Sequence, residues 1–192
     1  MNVERMVIRV VLLVALAIPL GACALEGEPG RPVWNTTLTI DAPARAEPLA
    51  RGETVPDFSA TGLDGRRVAW TDAAGRPAAL IVWASWCPHC QRVLPLVARV
   101  AAEFPMVTVL TVTTSIGRHP GPSPSEFVRA QTLPFPVALD DSRNTLAHAL
   151  GVYRIPVTYW VGPDGRVRDV TEGERGEATL RELFRALAAT SR

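Results

Sequence analysis

Ala78-Ala79-Leu80-Ile81-Val82-Trp83-Ala84-Ser85-Trp86-Cys87-Pro88-His89-Cys90 decides the fold of this chain. Ala78 to Ala84 is a continuous apolar run, the pattern of a strand buried on both faces. Val93, Leu94, Val97, Val100 and Ala101 then recur at helical spacing. The spacing predicts a strand, a tight turn and a helix that opens on two thiols. Cys87 falls at the N-cap and Pro88 at the first helical position, where its missing N–H costs nothing and its fixed φ already suits a helix. Cys90, three residues on, lies on the same helix face, so the two sulfurs come within disulfide reach.

A helix start presents unpaired N–H groups and the positive end of the helix dipole, both of which favour an anion. Cys87 is therefore expected to be the more exposed, attacking thiol of the two and to ionise readily. His89 adds partial positive charge and a hydrogen-bond donor beside it. From Ala73 to Ala102 there is no Asp or Glu, whereas Arg76, Arg92 and Arg99 all fall in that stretch. A stabilised thiolate stabilises the reduced form and makes the disulfide a better oxidant. The Cys-Pro-His-Cys motif resembles that of the DsbA-like periplasmic oxidases, with a thiol pKa of about 3.5 and a potential of about −120 mV.

Other uses of a Cys-x-x-Cys pair fit less well. The chain has three cysteines, and His119 and His148 are too far apart to complete a zinc site. A purely structural disulfide across so short a loop adds little stability. A copper(I)-binding module using Cys87 and Cys90 with His89 nearby stays open, because soft thiolates suit that ion.

Arg5 and Arg9 precede Val10–Leu20, an uncharged run too short to span a bilayer comfortably and suited to a signal-peptide core. It leads into Leu20-Gly21-Ala22-Cys23, which resembles the lipobox of bacterial lipoproteins. Residues 1–23 are thus expected to be a signal peptide with Cys23 lipidated; an ordinary cleavage site or an uncleaved anchor are the alternatives. Residues 24–54, rich in Pro, Ala, Arg and Glu, are expected to be a flexible tether. Within them Trp34 to Ile40 is β-prone and fits either an edge strand or a sticky patch in a linker. On each of these readings the folded part is extracytoplasmic, facing an oxidising compartment; with Cys23 lipidated, the expected case, it is also membrane-anchored. Removing residues 1–23 leaves 20 − 2 = 18 basic and 19 − 1 = 18 acidic residues, so no net charge draws the remainder to nucleic acid or acidic lipid.

Residues 55–192 have the size of one α/β domain. Short strands are predicted at Asp57–Ala60 and Arg67–Trp70 around a Leu63-Asp64-Gly65-Arg66 turn. The buried strand and the thiol helix follow, with Pro95 expected to kink the helix. Strands are predicted at Val107–Thr113, Phe135–Leu139, Pro156–Val161 and Arg166–Thr171, the last two joined by the Gly162–Gly165 hairpin turn. Helices are predicted at Ser125–Gln131, Ser142–Leu150 and Glu177–Ala189. Together they give a central mixed sheet with helices on both faces and a short N-terminal β-hairpin.

In this order and spacing the chain resembles the TlpA-like group of extracytoplasmic thiol–disulfide oxidoreductases, which have the thioredoxin-like fold. The resemblance runs from about Val55 to Leu187. It rests on Pro56-Asp57-Phe58, the Leu63-Asp64-Gly65 turn, Val82 to Cys90, Pro95, Phe135-Pro136, Gly151 to Thr158 and Gly162 to Gly165. It implies an enzyme that exchanges protein thiols and disulfides through a redox-active Cys87–Cys90 disulfide, with no dissociable cofactor and no metal. It also implies a catalytic role for Pro88 and His89, a cis Pro156 facing the disulfide, and an Ile155 backbone that pairs with substrate beside Trp86. A membrane redox partner would recharge the pair. Many members of the group are reductants in cytochrome c maturation or similar assembly, opposite to the oxidising direction drawn from the charges. Two departures favour oxidation: Val93 stands where many reductases of the group carry Glu, and the strand before the motif lacks thioredoxin's buried carboxylate. Peroxide reduction, which resembling folds perform, needs Thr or Ser where Ala84 stands.

Overall fold

The computed structural model describes residues 37–191. Cys23 and the proposed signal segment lie outside the described residues, as does the tether up to residue 36. Among the described residues no helix is long and apolar enough to cross a membrane.

The apolar run of the opening stretch forms β4 (Ala78–Trp83), buried along its whole length at the centre of a five-stranded sheet. The sheet order is β6-β5-β4-β7-β8, with β5 at Thr108–Thr113, β6 at Val137–Leu139, β7 at Val157–Val161 and β8 at Val167–Glu172. β4 pairs parallel with β5, and β5 with β6. On the other side β7 runs antiparallel to β4, and β8 antiparallel to β7. This is the mixed sheet of the thioredoxin-like fold. The parallel connections pass through α1 (Pro88–Ala101) and α2 (Pro124–Gln131), and α3 (Thr145–Ala149) leads on to β7.

Alternation along β4 divides the core in two, because successive side chains of a strand point to opposite faces. Ala79, Ile81 and Trp83 face α1, α2 and α4 (Glu177–Ala188), where they meet Leu94, Phe127 and Phe184. Leu80 and Val82 face the other way, against α3 and a smaller sheet. Two ion pairs clamp α1 and its end to α4: Arg99 to Glu177 at 3.1 Å and Arg181 to Glu103 at 2.8 Å. Pro95 lies inside α1, which continues from Pro88 to Ala101 without a break.

The N-terminal hairpin is part of a three-stranded antiparallel sheet. β1 (Leu38–Ile40) pairs with β2 (Phe58–Thr61), which pairs with β3 (Arg67–Ala69). The Trp34 to Ile40 stretch thus supplies an edge strand through its last three residues. β3 ends before Trp70 because Trp70–Ala73 coils into a 3-10 turn, with Asp72 accepting from the Ala69 N–H at 2.8 Å. The helix predicted at Ser142–Leu150 is shorter for a similar reason. Asp140 and Asp141 hold the preceding turn by accepting from the N–H groups of Arg143, Thr145, Leu146 and Ala147.

The boundary placed between residues 54 and 55 is corrected by this packing. Leu49 is 3% exposed and belongs to the core under the small sheet. Gly52 N–H donates to the Val167 carbonyl at 2.8 Å, and Val167 N–H to the Glu53 carbonyl at 2.9 Å. Residues 52–55 therefore cover the outer edge of β8, which would otherwise present unpaired backbone groups to solvent. Composition alone reads Pro, Ala, Arg and Glu as a tether; one leucine and a set of backbone bonds anchor the segment from about residue 38.

Candidate active site

The turn Ala84–Cys87 carries the chain from the end of β4 into α1 and delivers both thiols to the carboxyl end of the sheet. Cys87 is the N-cap, with φ −79° and ψ 118°, and Pro88 is in the first turn. The Cys87 carbonyl accepts from Gln91 N–H at 3.0 Å, and its side chain makes no capping bond. Its Sγ lies 3.8 Å from the Ile155 carbonyl oxygen, close enough for a weak S–H···O contact. Cys87 and Cys90 are both free thiols. Cys87 keeps 5% of its surface exposed and Cys90 none.

Burial pushes the Cys90 thiol far above the ordinary thiol range; the Ala84 backbone pulls it partly back, and Cys87 adds to the rise. The described residues include no group of three or more His, Cys, Asp or Glu placed to hold a metal ion.

Three loops frame the Cys87 side. The first is Tyr153–Pro156, whose Ile155–Pro156 peptide bond is cis and whose Ile155 carbonyl faces the thiol. The second follows β8: Gly173 N–H donates to the Pro156 carbonyl at 2.7 Å, so the two loops are tied to each other. The third, Ser115–Ser123, grips the motif from the far side. Trp86 Nε1 donates to the Ser115 carbonyl at 2.9 Å, and its ring lies 4.2 Å from that of His119. Ser85 Oγ donates to the Pro122 carbonyl at 2.6 Å, and Gln91 Nε2 to the Ser85 carbonyl at 2.7 Å. Trp86 is thus half-buried with its polar end occupied by the loop.

His89 is engaged by Arg92 and Glu174. Its Nδ1 lies 2.9 Å from Arg92 Nη2 and 3.1 Å from Glu174 Oε2. Arg92 in turn donates Nε to both Glu174 oxygens at 3.1 Å and Nη2 to Oε2 at 2.8 Å. The imidazole accepts from the guanidinium when Nδ1 is bare and donates to the carboxylate when Nδ1 carries a proton. These contacts hold the Glu174 carboxyl down at about 2, Arg92 contributing most and His89 next. The acid-free stretch around the motif is therefore free of acid only along the chain. Glu174, 84 positions after Cys90 in sequence, supplies the anion in space.

Of the residues singled out from sequence, the structure brings Cys87, Pro88, Cys90, Trp86, Ile155 and Pro156 together around one helix end. His89 lies at the rim. Sequence reading missed Glu174, Ser115, His119 and Gly121. No local pattern marks them, since each reaches the site through a loop closure between distant segments.

The model of the AhpC/TSA family matches residues 51–170 of this chain. Thiol-disulfide oxidoreductase ResA of Bacillus subtilis (strain 168) is 27% identical over 181 residues, which are 94% of this chain and 92% of the relative. Among solved structures, dsbF of MTB in its mixed oxidized and reduced forms is 33% identical, with a TM-score of 0.59 over 67% of this chain and 93% of the other. A putative thiol:disulfide interchange protein DsbE from Chlorobium tepidum is 26% identical, with a TM-score of 0.64 over 73% of this chain and 99% of the other.

Proposed function

The chain belongs to the AhpC/TSA family, and from that membership and the dithiol at the mouth of α1 we propose that it exchanges protein thiols and disulfides outside the cytoplasm. One observation carries the reading: Cys87 sits at the helix N-cap facing the Ile155 carbonyl, with Cys90 buried one turn deeper. An extended substrate segment pairing with the Ile155 backbone would present its sulfur to Cys87. Its likeness to proteins named as thiol–disulfide oxidoreductases supports the same chemistry.

The direction we favour is reductive. The oxidising expectation rested on the helix-start position of Cys87, on His89, on the acid-free stretch around the motif, and on the missing Glu at Val93 and missing buried carboxylate. Glu174 removes the acid-free ground and engages His89, and the likeness to ResA supports the reductive direction. In the reductive cycle the Cys87 thiolate attacks one sulfur of a substrate disulfide, and the other substrate sulfur leaves as a thiolate. Cys90, once deprotonated, attacks the Cys87 sulfur, forms the Cys87–Cys90 disulfide and releases the second substrate thiol. The substrate gains two electrons and this protein loses them, so a dithiol donor must restore the pair. That donor is proposed to be a membrane protein, with the domain held at the membrane through lipidated Cys23 and an N-terminal tether. Assembly of cytochrome c or a similar thiol-dependent maturation is the proposed setting.

Equilibration with glutathione buffers, acid trapping and mass analysis of the Cys87–Cys90 pair test this. The expected potential lies closer to the roughly −270 mV of thioredoxin than to the roughly −120 mV of DsbA. A value near the latter would restore the oxidant reading. A pair that never forms a disulfide would remove exchange altogether.

A further inference from the structure

Glu174 has no place in the exchange cycle as written, yet it is the most heavily engaged carboxylate near the thiols. It contacts Arg92 three times and His89 once, at 2.8–3.1 Å. Its side chain is 33% exposed, against 54% for Arg92 and 61% for His89. The backbone beneath it is fixed, because Gly173 N–H is bonded to the carbonyl of Pro156, one residue from the carbonyl that faces Cys87. The carboxylate therefore bridges the substrate-facing loop and the first turns of the thiol helix.

An exposed ion pair contributes little to stability, but its effect on the thiol is a different quantity. Any thiolate that Cys87 forms on reduction carries a negative charge that the disulfide lacks. A cation nearby favours the reduced form; an anion nearby opposes it. Arg92 lies within electrostatic reach of Cys87. With Glu174 bound to it, the pair is close to neutral as seen from the thiol. Arg175, next along the loop, turns its Nη1 to the Glu174 carbonyl at 2.9 Å and not to the carboxylate.

We propose that Glu174 is a positioning residue that sets the reduction potential of the Cys87–Cys90 pair, holding it low by locking Arg92 and His89 into a charge-compensated cluster at the helix mouth. The inference rests on the exchange function proposed above and adds what tunes it. A Pro-His dipeptide that elsewhere accompanies a strong oxidant is here offset by an acid from a distant loop.

The test is a charge cycle on the full chain, read as the equilibrium constant with glutathione. Glu174→Gln keeps the shape and removes the charge. It should shift the equilibrium about three- to tenfold toward the reduced protein, tenfold being about 30 mV for this two-electron couple. Alkylation of Cys87 at mildly acidic pH should quicken in parallel. The double variant Glu174→Gln, Arg92→Gln removes the compensated pair together and should return to within about twofold of the parent, an outcome that mere loosening of the loop would not give. No shift in the single variant, a shift toward the oxidised form, or a double variant that stays with the single one would each overturn the inference. A parent protein that equilibrates normally while Glu174→Gln leaves it unchanged defeats this inference alone. A parent that does not equilibrate defeats the exchange reading as well.

Discussion

Cys90 is wholly buried while Cys87 keeps a sliver of surface, and that difference gives the two thiols separate behaviour. Alkylation of the reduced protein at mildly acidic pH, mapped by mass, should mark Cys87 first and leave Cys90 protected; equal labelling would contradict the assignment. Burial also fixes a pH dependence. The Cys90 thiol is raised from its ordinary 9.0, so above about pH 9 the unfolded chain gives up that proton while the folded protein keeps it. Stability of the reduced protein is then unaffected by this group below pH 9 and falls above it, with a limiting slope of about 1.4 kcal/mol per pH unit. Tyr159, raised by burial from 10.0 to about 12, acts in the same direction from pH 10 upward. The chain has arginines and no lysine, so few other groups titrate in this range. Urea unfolding of the reduced protein between pH 8 and 10 should show the decline, and Cys90→Ala should flatten it. At this scale the thiol pair was legible because helix geometry dictates the spacing of its residues. Glu174 was not, because nothing local ties it to Arg92.

Between elements, the Ser115–Ser123 loop matters most to the shape of the site. Gly121 has φ +152°, and a Cβ there would meet Trp86 Cβ at 2.9 Å and Trp86 Cα at 3.0 Å. Backbone on one side and a ring held by Ser115 and His119 on the other leave little room to give. Gly121→Ala should therefore cost about 1–3 kcal/mol, read as a lower urea midpoint, and should slow exchange by displacing the turn before Cys87. If midpoint and rate both stay at parental values, the loop does not brace the motif. The same loop ends in a capping box in which Ser123 and Glu126 satisfy each other's N–H groups. Ser123→Ala should lose about 1 kcal/mol. Elements with a strong internal period, β4, α1 and α4, were legible to within a residue or so. Those bounded by side-chain bonds from outside their own span were not. α3 is the clearest case: buried Asp140 links Thr114, Leu146 and Ala147 and sets where the helix can begin.

Across the whole molecule, the segment before Val55 decides where the folding unit starts. Its composition resembles a linker, yet its contacts are those of a domain. Arg45 N–H donates to the His148 carbonyl at 2.9 Å, and Tyr153 Oη donates to the Arg45 carbonyl at 2.6 Å. Gly151 has φ +72°, and a Cβ there would collide with the Glu47 carbonyl. That glycine, which follows directly on α3 and its C-cap Leu150, lets the earlier segment pass over the end of the helix. Leu49 completes the core between Tyr159 and the small sheet. A large-to-small change at such a site costs about 2–5 kcal/mol, whereas in a tether it would cost nothing. Leu49→Ala in the full chain should accordingly lower the unfolding free energy by about 2–4 kcal/mol, with a single transition retained. Because the Tyr153–Pro156 loop hangs from the same contacts, exchange through Cys87 should weaken in the variant even at temperatures where it stays folded. An unchanged midpoint would return residues 45–54 to the tether and leave β2 and β8 to hold their edges without them.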